Sequence, residues 1–247
     1  IDPHDGRSDL DAGCIRVMHP RSFADDPTRM FRALRFSLRY GYRIVDKSEE
    51  WMNEAITGGY LDAVSGERVC KELRLMFAES PIQGPCRLEV AGVLAAVHPN
   101  LRFRPEILKG LQALIQWWEV ASSGVSLVAK PEEWLMVLGC CAKGLSSQER
   151  WDLGRHLRLS REERGPLIDS GMPWQRAIGF LSDAPALPLN SMVERAFRDL
   201  DRGALLVSAA VVGIDSTEAE MVRIYLDQLH GVTAELDGLE LKKMGVP

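Results

Sequence analysis

From Pro27 onward, apolar residues recur at helical spacing, while period-two alternation of β-branched residues is nearly absent. This pattern predicts an all-α, multi-helix protein. A first helix has Ser22 or Asp25 available as N-cap, acidic residues in its first turn, and Pro27 where a missing N–H does no harm. It is expected to run to Tyr40 and stop at Gly41. A second spans Lys47 to Thr57, ahead of Gly58-Gly59. A third opens at Ser65, carries Val69, Leu73, Met76 and Phe77 on one face, and ends near Ser80-Pro81. Further helices are expected near Cys86 to Val97, Pro105 to Ala121, Pro131 to Cys141, Ser147 to His156, Arg161 to Ile178, Ser191 to Leu200, Gly203 to Val212 and Thr217 to Val232.

Residues 1 to 19 break the pattern. Asp5-Gly6 and Ala12-Gly13 read as turns and Cys14 to Met18 as a short strand, so this segment is expected to be the edge of another domain. The start Ile1-Asp2-Pro3-His4 has no initiator methionine and no leader character, and the chain is expected to be a piece of a longer protein. Ala184 to Pro188 is the most linker-like stretch, though short enough for an inter-helix loop.

With 247 residues, 46% of them apolar and 26% charged, the chain is long enough to bury a substantial core and lies outside the regime of disorder. Its longest apolar runs, Trp134 to Cys141 and Ala204 to Val212, are too short to cross a bilayer, and no membrane span is predicted. A formal net charge of −5 excludes indiscriminate coating of nucleic acid through an overall basic field. Only a local basic stripe could serve. The five cysteines, Cys14, Cys70, Cys86, Cys140 and Cys141, form no C-x-x-C pair and no zinc-spaced set with histidine, so they read as reduced, buried thiols of a cytoplasmic protein without a metal site.

One basic stripe exists. On a helical wheel Arg29, Arg32, Arg35 and Arg39 gather on one flank with Asp26 at its upper edge, and Met30, Phe31, Leu34 and Leu38 lie largely on the other side. The helix is expected to bury one face and to offer the other to something anionic. Asp26 and Arg29, three apart, would be surface neighbours placing carboxylate acceptors beside a planar fork of donors. That pair suits the edge of a nucleobase. The exocyclic amine of cytosine or adenine donates to the carboxylate and the adjacent ring nitrogen accepts from the guanidinium, whereas uracil and guanine present a carbonyl to the acid. The same residues also fit an ordinary first-turn ion pair beside solvated arginines.

The stretch from Ser22 to Phe36 resembles the signature that opens the neck of bacterial class II CCA-adding enzymes and poly(A) polymerases. Asp2 to Leu10 with Ile15-Arg16 resembles the segment joining head to neck in that family, Val64 to Leu73 is similar to its later neck helix, and Asp237 to Pro247 to the stretch before its tail. The resemblance implies the end of a head and its connector at residues 1 to 19, a neck at 20 to 80, and a helical body at 81 to 247 truncated before the tail. It implies a template-independent RNA nucleotidyltransferase that adds CMP or AMP to RNA 3′ ends, with CTP and ATP as incoming nucleotides and the tRNA acceptor end as the RNA partner. In that scheme Asp26 and Arg29 pair with the incoming base, while Asp25, Arg32, Arg35 and Arg68 support them or contact phosphate and RNA. The parent enzyme would use Mg2+ held by carboxylates of a head absent from this chain, so the chain alone should bind no metal and transfer no nucleotide. Two positions depart from the family: Asp25 stands where a Glu is usual, and His4-Asp5 replaces a customary glycine, with Gly6 retained.

Several residues carry two readings. Arg68 and Glu72, at i and i+4, form a surface pair or brace the Asp26 element. Arg32 and Arg35 approach phosphate or form a solvated flank. Trp117, Trp118, Trp134, Trp151 and Trp174 pack in the helical core or stack on unpaired bases, with core packing favoured. His98-Pro99 reads as a helix stop. His4-Asp5 superficially resembles the pair of metal-dependent phosphohydrolases but has no accompanying His/Asp cluster on a helix. Against the nucleotidyltransferase stands a non-catalytic RNA-binding or adaptor module whose basic helix merely grips phosphate.

Overall fold

The structure is a computed structural model that describes residues 2, 4–121, 131–182 and 190–229. Its α-helices are α1 (Gly6–Asp11), α2 (Ser22–Asp25), α3 (Arg29–Tyr40), α4 (Asp46–Thr57), α5 (Gly66–Glu79), α6 (Gln83–Val90), α7 (Val93–Val97), α8 (Pro105–Ala121), α9 (Glu133–Cys141), α10 (Ser147–His156), α11 (Gly165–Ile168), α12 (Met172–Ser182), α13 (Asn190–Phe197), α14 (Arg202–Val212) and α15 (Thr217–Ile224). Among the described residues the only strands are the two-residue β1 (Cys14–Ile15) and β2 (Arg43–Ile44), paired in parallel with Cys14 opposite Arg43. The all-α expectation holds. No helix among the described residues is long and apolar enough to cross a membrane. The linker-like stretch at Ala184 to Pro188 and the resemblance at Asp237 to Pro247 lie outside the described residues.

The N-terminal segment is more ordered than its turn signals suggest. Gly6–Asp11 is helical, and β1 finds its partner within this chain, because Val45 donates to the Ile15 carbonyl at 3.1 Å and Val17 donates to the Ser48 hydroxyl at 3.1 Å. The segment is therefore stitched to the turn that follows α3. Gly41 ends α3 in the left-handed conformation, φ 68°, as its position predicted. Two expected long helices are broken: Gly92, at φ 75°, separates α6 from α7, and turns around Arg164 and Gly171 leave α11 and α12 where one helix was expected. The helix expected from Thr217 to Val232 changes character within its described part, passing from α15 into a π-helical turn at Tyr225–Leu229.

Buried apolar side chains form one contiguous cluster from Phe23 to Tyr225. α3 contributes Met30, Phe31 and Leu34, and α5 contributes the expected Val69, Leu73, Met76 and Phe77. At the centre α14 packs against α8, α9, α11 and α15, with every residue from Gly203 to Ala210 buried. α9 is buried from Trp134 to Cys141. Trp118, Trp134 and Trp174 lie in this core and Trp117 packs partly buried against it, while Trp151 is exposed beneath the Arg164 guanidinium.

One close approach joins the first turn of α5 to the end of α10. A Cβ built on Gly66 would lie 1.6 Å from the His156 carbonyl oxygen and 2.5 Å from its carbon. Only glycine fits there.

Candidate functional site: the approach to helix α3

Asp26 is not on the helix. Its backbone is extended, φ −146° and ψ 94°, between α2 and α3, and α3 begins at Arg29. The reason is Pro27, whose ring disfavours helical geometry at the residue before it. This corrects the helical-wheel placement of Asp26 beside Arg29. The helix instead enters through a turn in which the Asp26 carbonyl accepts from the Arg29 N–H at 3.1 Å.

That turn is closed by the Asp26 side chain. Its Oδ1 accepts from the Thr28 N–H at 3.1 Å, from the Thr28 hydroxyl at 2.7 Å and from Arg68 Nη2 at 2.8 Å. Arg68 Nη2 also reaches Thr28 Oγ1 at 3.2 Å. Of the two readings of Arg68, the brace is the one present, and Glu72 is not its partner. Burial pushes the Asp26 carboxyl up, but the Thr28 bonds and the Arg68 charge outweigh it and hold the group below the usual carboxylate range. All three bonds fall on Oδ1. Oδ2 accepts none from the described residues.

Arg29 folds back over α2, donating from Nη1 to the Ser22 carbonyl at 3.1 Å. Its Nε and Nη2 have no partner among the described residues, and no bond joins it to Asp26. The predicted pair is thus held by two separate anchors, with a carboxylate oxygen and guanidinium N–H groups left over at the start of α3.

The supporting residues divide. Asp25 is exposed at the end of α2, 3.7 Å from both Arg21 and His19. Arg32 is exposed, and its guanidinium bonds no described residue. Arg35 is 9% exposed, with Nη1 2.8 Å from Glu79 Oε1, so an acid of α5 engages its guanidinium. Arg39 grips the same carboxylate at 2.6 and 3.1 Å. What satisfies this end of the basic flank is an acid of α5, 44 and 40 residues away in sequence. Between the two helices the Glu72 carboxyl is pushed up by burial, with Arg35 and Arg32 pulling against it, and its Oε2 is buried without a hydrogen bond.

Sequence reasoning missed Thr28 and Glu79. Thr28 had a signal, because an Asp two residues before a hydroxyl and across a proline is an Asx-turn pattern. Glu79 had none, since its pairing depends on how α5 lies against α3. Among the described residues no three or more His, Cys, Asp or Glu side chains gather as a metal site.

No family model matches the chain. Over its whole length it is 29% identical to the A-adding tRNA nucleotidyltransferase of Geobacter sulfurreducens, covering 28% of that protein. Over 69% of its length it is 31% identical to the Multifunctional CCA protein of Alkalilimnicola ehrlichii, covering 43% of that one. The chain thus spans less than half the length of these curated relatives. A solved CCA-adding enzyme in complex with ATP shares the fold at a TM-score of 0.76 and 22% identity, over all of this chain and 57% of that one. Along its whole length the chain is thus similar to a tRNA nucleotidyltransferase in sequence, and it shares its fold with a CCA-adding enzyme.

Proposed function

We propose that this chain supplies incoming-base selection and RNA grip to an enzyme that adds CMP or AMP to the 3′ end of tRNA. The observation that carries this reading is the pair of unclaimed groups at the start of α3: Asp26 Oδ2 as acceptor, and Arg29 Nε and Nη2 as donors. Because the Asp26 carboxyl is held below the usual range, it is ionised at neutral pH and can only accept. An exocyclic amine meets it well. A carbonyl in the same place meets it with repulsion, which selects cytosine and adenine over uracil and guanine. Exposed Arg32 is the member of the flank left to approach a phosphate.

In this proposal residues 1–19 connect to the nucleotide-transferring portion, 20–80 form the neck and 81–247 the body. Nucleotide transfer requires metal-clamped phosphates, which this chain has no described residues to provide, so the chain alone incorporates nothing when Mg2+, tRNA, CTP and ATP are added. We place the protein in the cytoplasm, a reading supported by five free cysteines.

The test is an NMR titration of the chain with each of CMP, AMP, UMP and GMP, following the arginine Nε–Hε resonances. CMP and AMP shift the Arg29 signal saturably and UMP and GMP do not, and Asp26→Asn abolishes the difference. Equal shifts with all four, weakening together as salt is raised, would instead establish the phosphate-gripping module and overturn base reading. In a chimera carrying a relative's nucleotide-transferring portion, Asp26→Ala and Arg29→Ala damage the choice among CTP, ATP, UTP and GTP more than they damage tRNA binding.

A further inference from the structure

Arg150, on α10, is 5% exposed and ion-paired with no carboxylate among the described residues. Its neighbours are carbonyls and one hydroxyl: Nε donates to Leu145 O at 3.1 Å, Nη1 to Leu167 O at 2.8 Å and Ser170 Oγ at 3.2 Å, and Nη2 to Lys143 O at 3.4 Å. Five N–H groups thus meet four acceptors, the last at the edge of hydrogen-bond range. A buried cation ordinarily has a counter-charge, because dipoles alone leave much of its lost hydration unreplaced. Burial lowers the affinity of this guanidinium for its proton, with no acid opposing the effect.

The same side chain lines a cavity of about 510 Å³ between α9, α10, α12 and α14. Its lining is apolar at Met172, Trp174, Val207, Val211 and Val212 and polar or charged at Lys143, Ser146 and Ser147. Gly171 lies against the guanidinium stem, where a Cβ would come within 3.2 Å of Arg150 Cδ, so a side chain there would crowd the stem. The cavity lining therefore combines a cation that has more donors than acceptors, an apolar set of side chains, and a size typical of small-molecule sites.

We propose that this cavity binds a small organic anion, a carboxylate on a short apolar body, with the carboxylate completing the hydrogen bonding of Arg150 Nη2 and the body against Trp174 and Val211. Lys143, also in the lining, adds a second positive charge. The site is distinct from the α3 approach and does not depend on base reading.

Three probes separate the contributions: sodium hexanoate has both features, hexanol only the apolar body, and inorganic phosphate only the anion. Hexanoate raises the melting temperature of the chain saturably and shifts the Arg150 Nε–Hε and Trp174 indole resonances, and hexanol and phosphate do neither at equal concentration. Arg150→Lys weakens hexanoate binding about tenfold or more, the loss expected for a charged hydrogen bond. Should that variant fail to fold, Val211→Trp keeps Arg150 intact and fills the cavity, and it abolishes the hexanoate shifts. Hexanol binding as tightly as hexanoate, undiminished hexanoate binding by Val211→Trp, or no saturable binding at all would show Arg150 to be a structural stitch among carbonyls and overturn the proposal.

Discussion

Gly66→Ala isolates the contact between α5 and α10. The backbone of Gly66 lies in the first turn of an ordinary helix, so alanine meets no conformational obstacle and on propensity alone would gain up to about 1 kcal/mol. Space decides otherwise. The new methyl would lie 1.6 Å from the His156 carbonyl oxygen, against roughly 3.5 Å for an unstrained non-bonded contact, so the backbones must part by about 2 Å. Overpacking of this kind costs about 1–3 kcal/mol or more, and the net expectation is a loss of about 2 kcal/mol. For a chain of this size that lowers the melting temperature by roughly 4–8 °C. Gly179→Ala is the matched control, since Gly179 is exposed inside α12 with nothing within 4 Å of the added carbon; it should raise the melting temperature by roughly 2 °C. Both are read by differential scanning calorimetry. Because the obstacle is a main-chain carbonyl, adding His156→Ala to Gly66→Ala should rescue nothing. A Gly66→Ala protein that melts with the wild type, or a double variant that recovers, would refute the backbone approach.

Three further outcomes follow from the ion pairs and caps. Arg68→Ala removes the 2.8 Å partner of Asp26 while Thr28 remains, so the Asp26 carboxyl should titrate at higher pH by carbon-13 NMR; stability should fall by no more than about 1 kcal/mol, because the pair is half exposed. Glu79→Ala strands the buried Arg35 and should cost about 2 kcal/mol in urea unfolding, with Glu79→Gln recovering part of it through the amide oxygen. Glu149 is held at about 2 by the Ser146 hydroxyl, the Ser146 N–H and Asn100, a value below that of the unfolded chain. Its contribution is therefore complete above the ordinary Glu range and lost as pH falls from there toward 2, and Glu149→Gln should flatten that acid limb of the urea midpoint.

Helices were legible wherever a local signal set both ends. α8 runs from Pro105 to Ala121 and α10 from Ser147 to His156 as read from proline, serine and periodicity alone. α6 and α7 were not separable, because Gly92 inside an apolar stretch reads equally as a tolerated glycine and as a break. At the candidate site the identities of Asp26, Arg29 and Arg68 were available from the sequence, but their geometry was not. The proline after Asp26 carried the missing information, since it denies Asp26 the helix that periodicity assigned to it. The fate of Arg35 lay beyond any local pattern, because its acid is supplied by the far end of α5. Arg150 was equally hidden: an arginine in a polar helix signals neither its burial nor the cavity it lines.

The central position of α14 bears on how the chain is made. α8 and α9, which pack on it, leave the ribosome before it does, and both present buried apolar residues to its side. From Cys141 to Val212 synthesis takes on the order of ten seconds. Throughout that interval the part of those faces that α14 covers stands bare on the nascent chain, so a stall between the two points leaves a product with exposed hydrophobic surface, a natural substrate for chaperones or proteases.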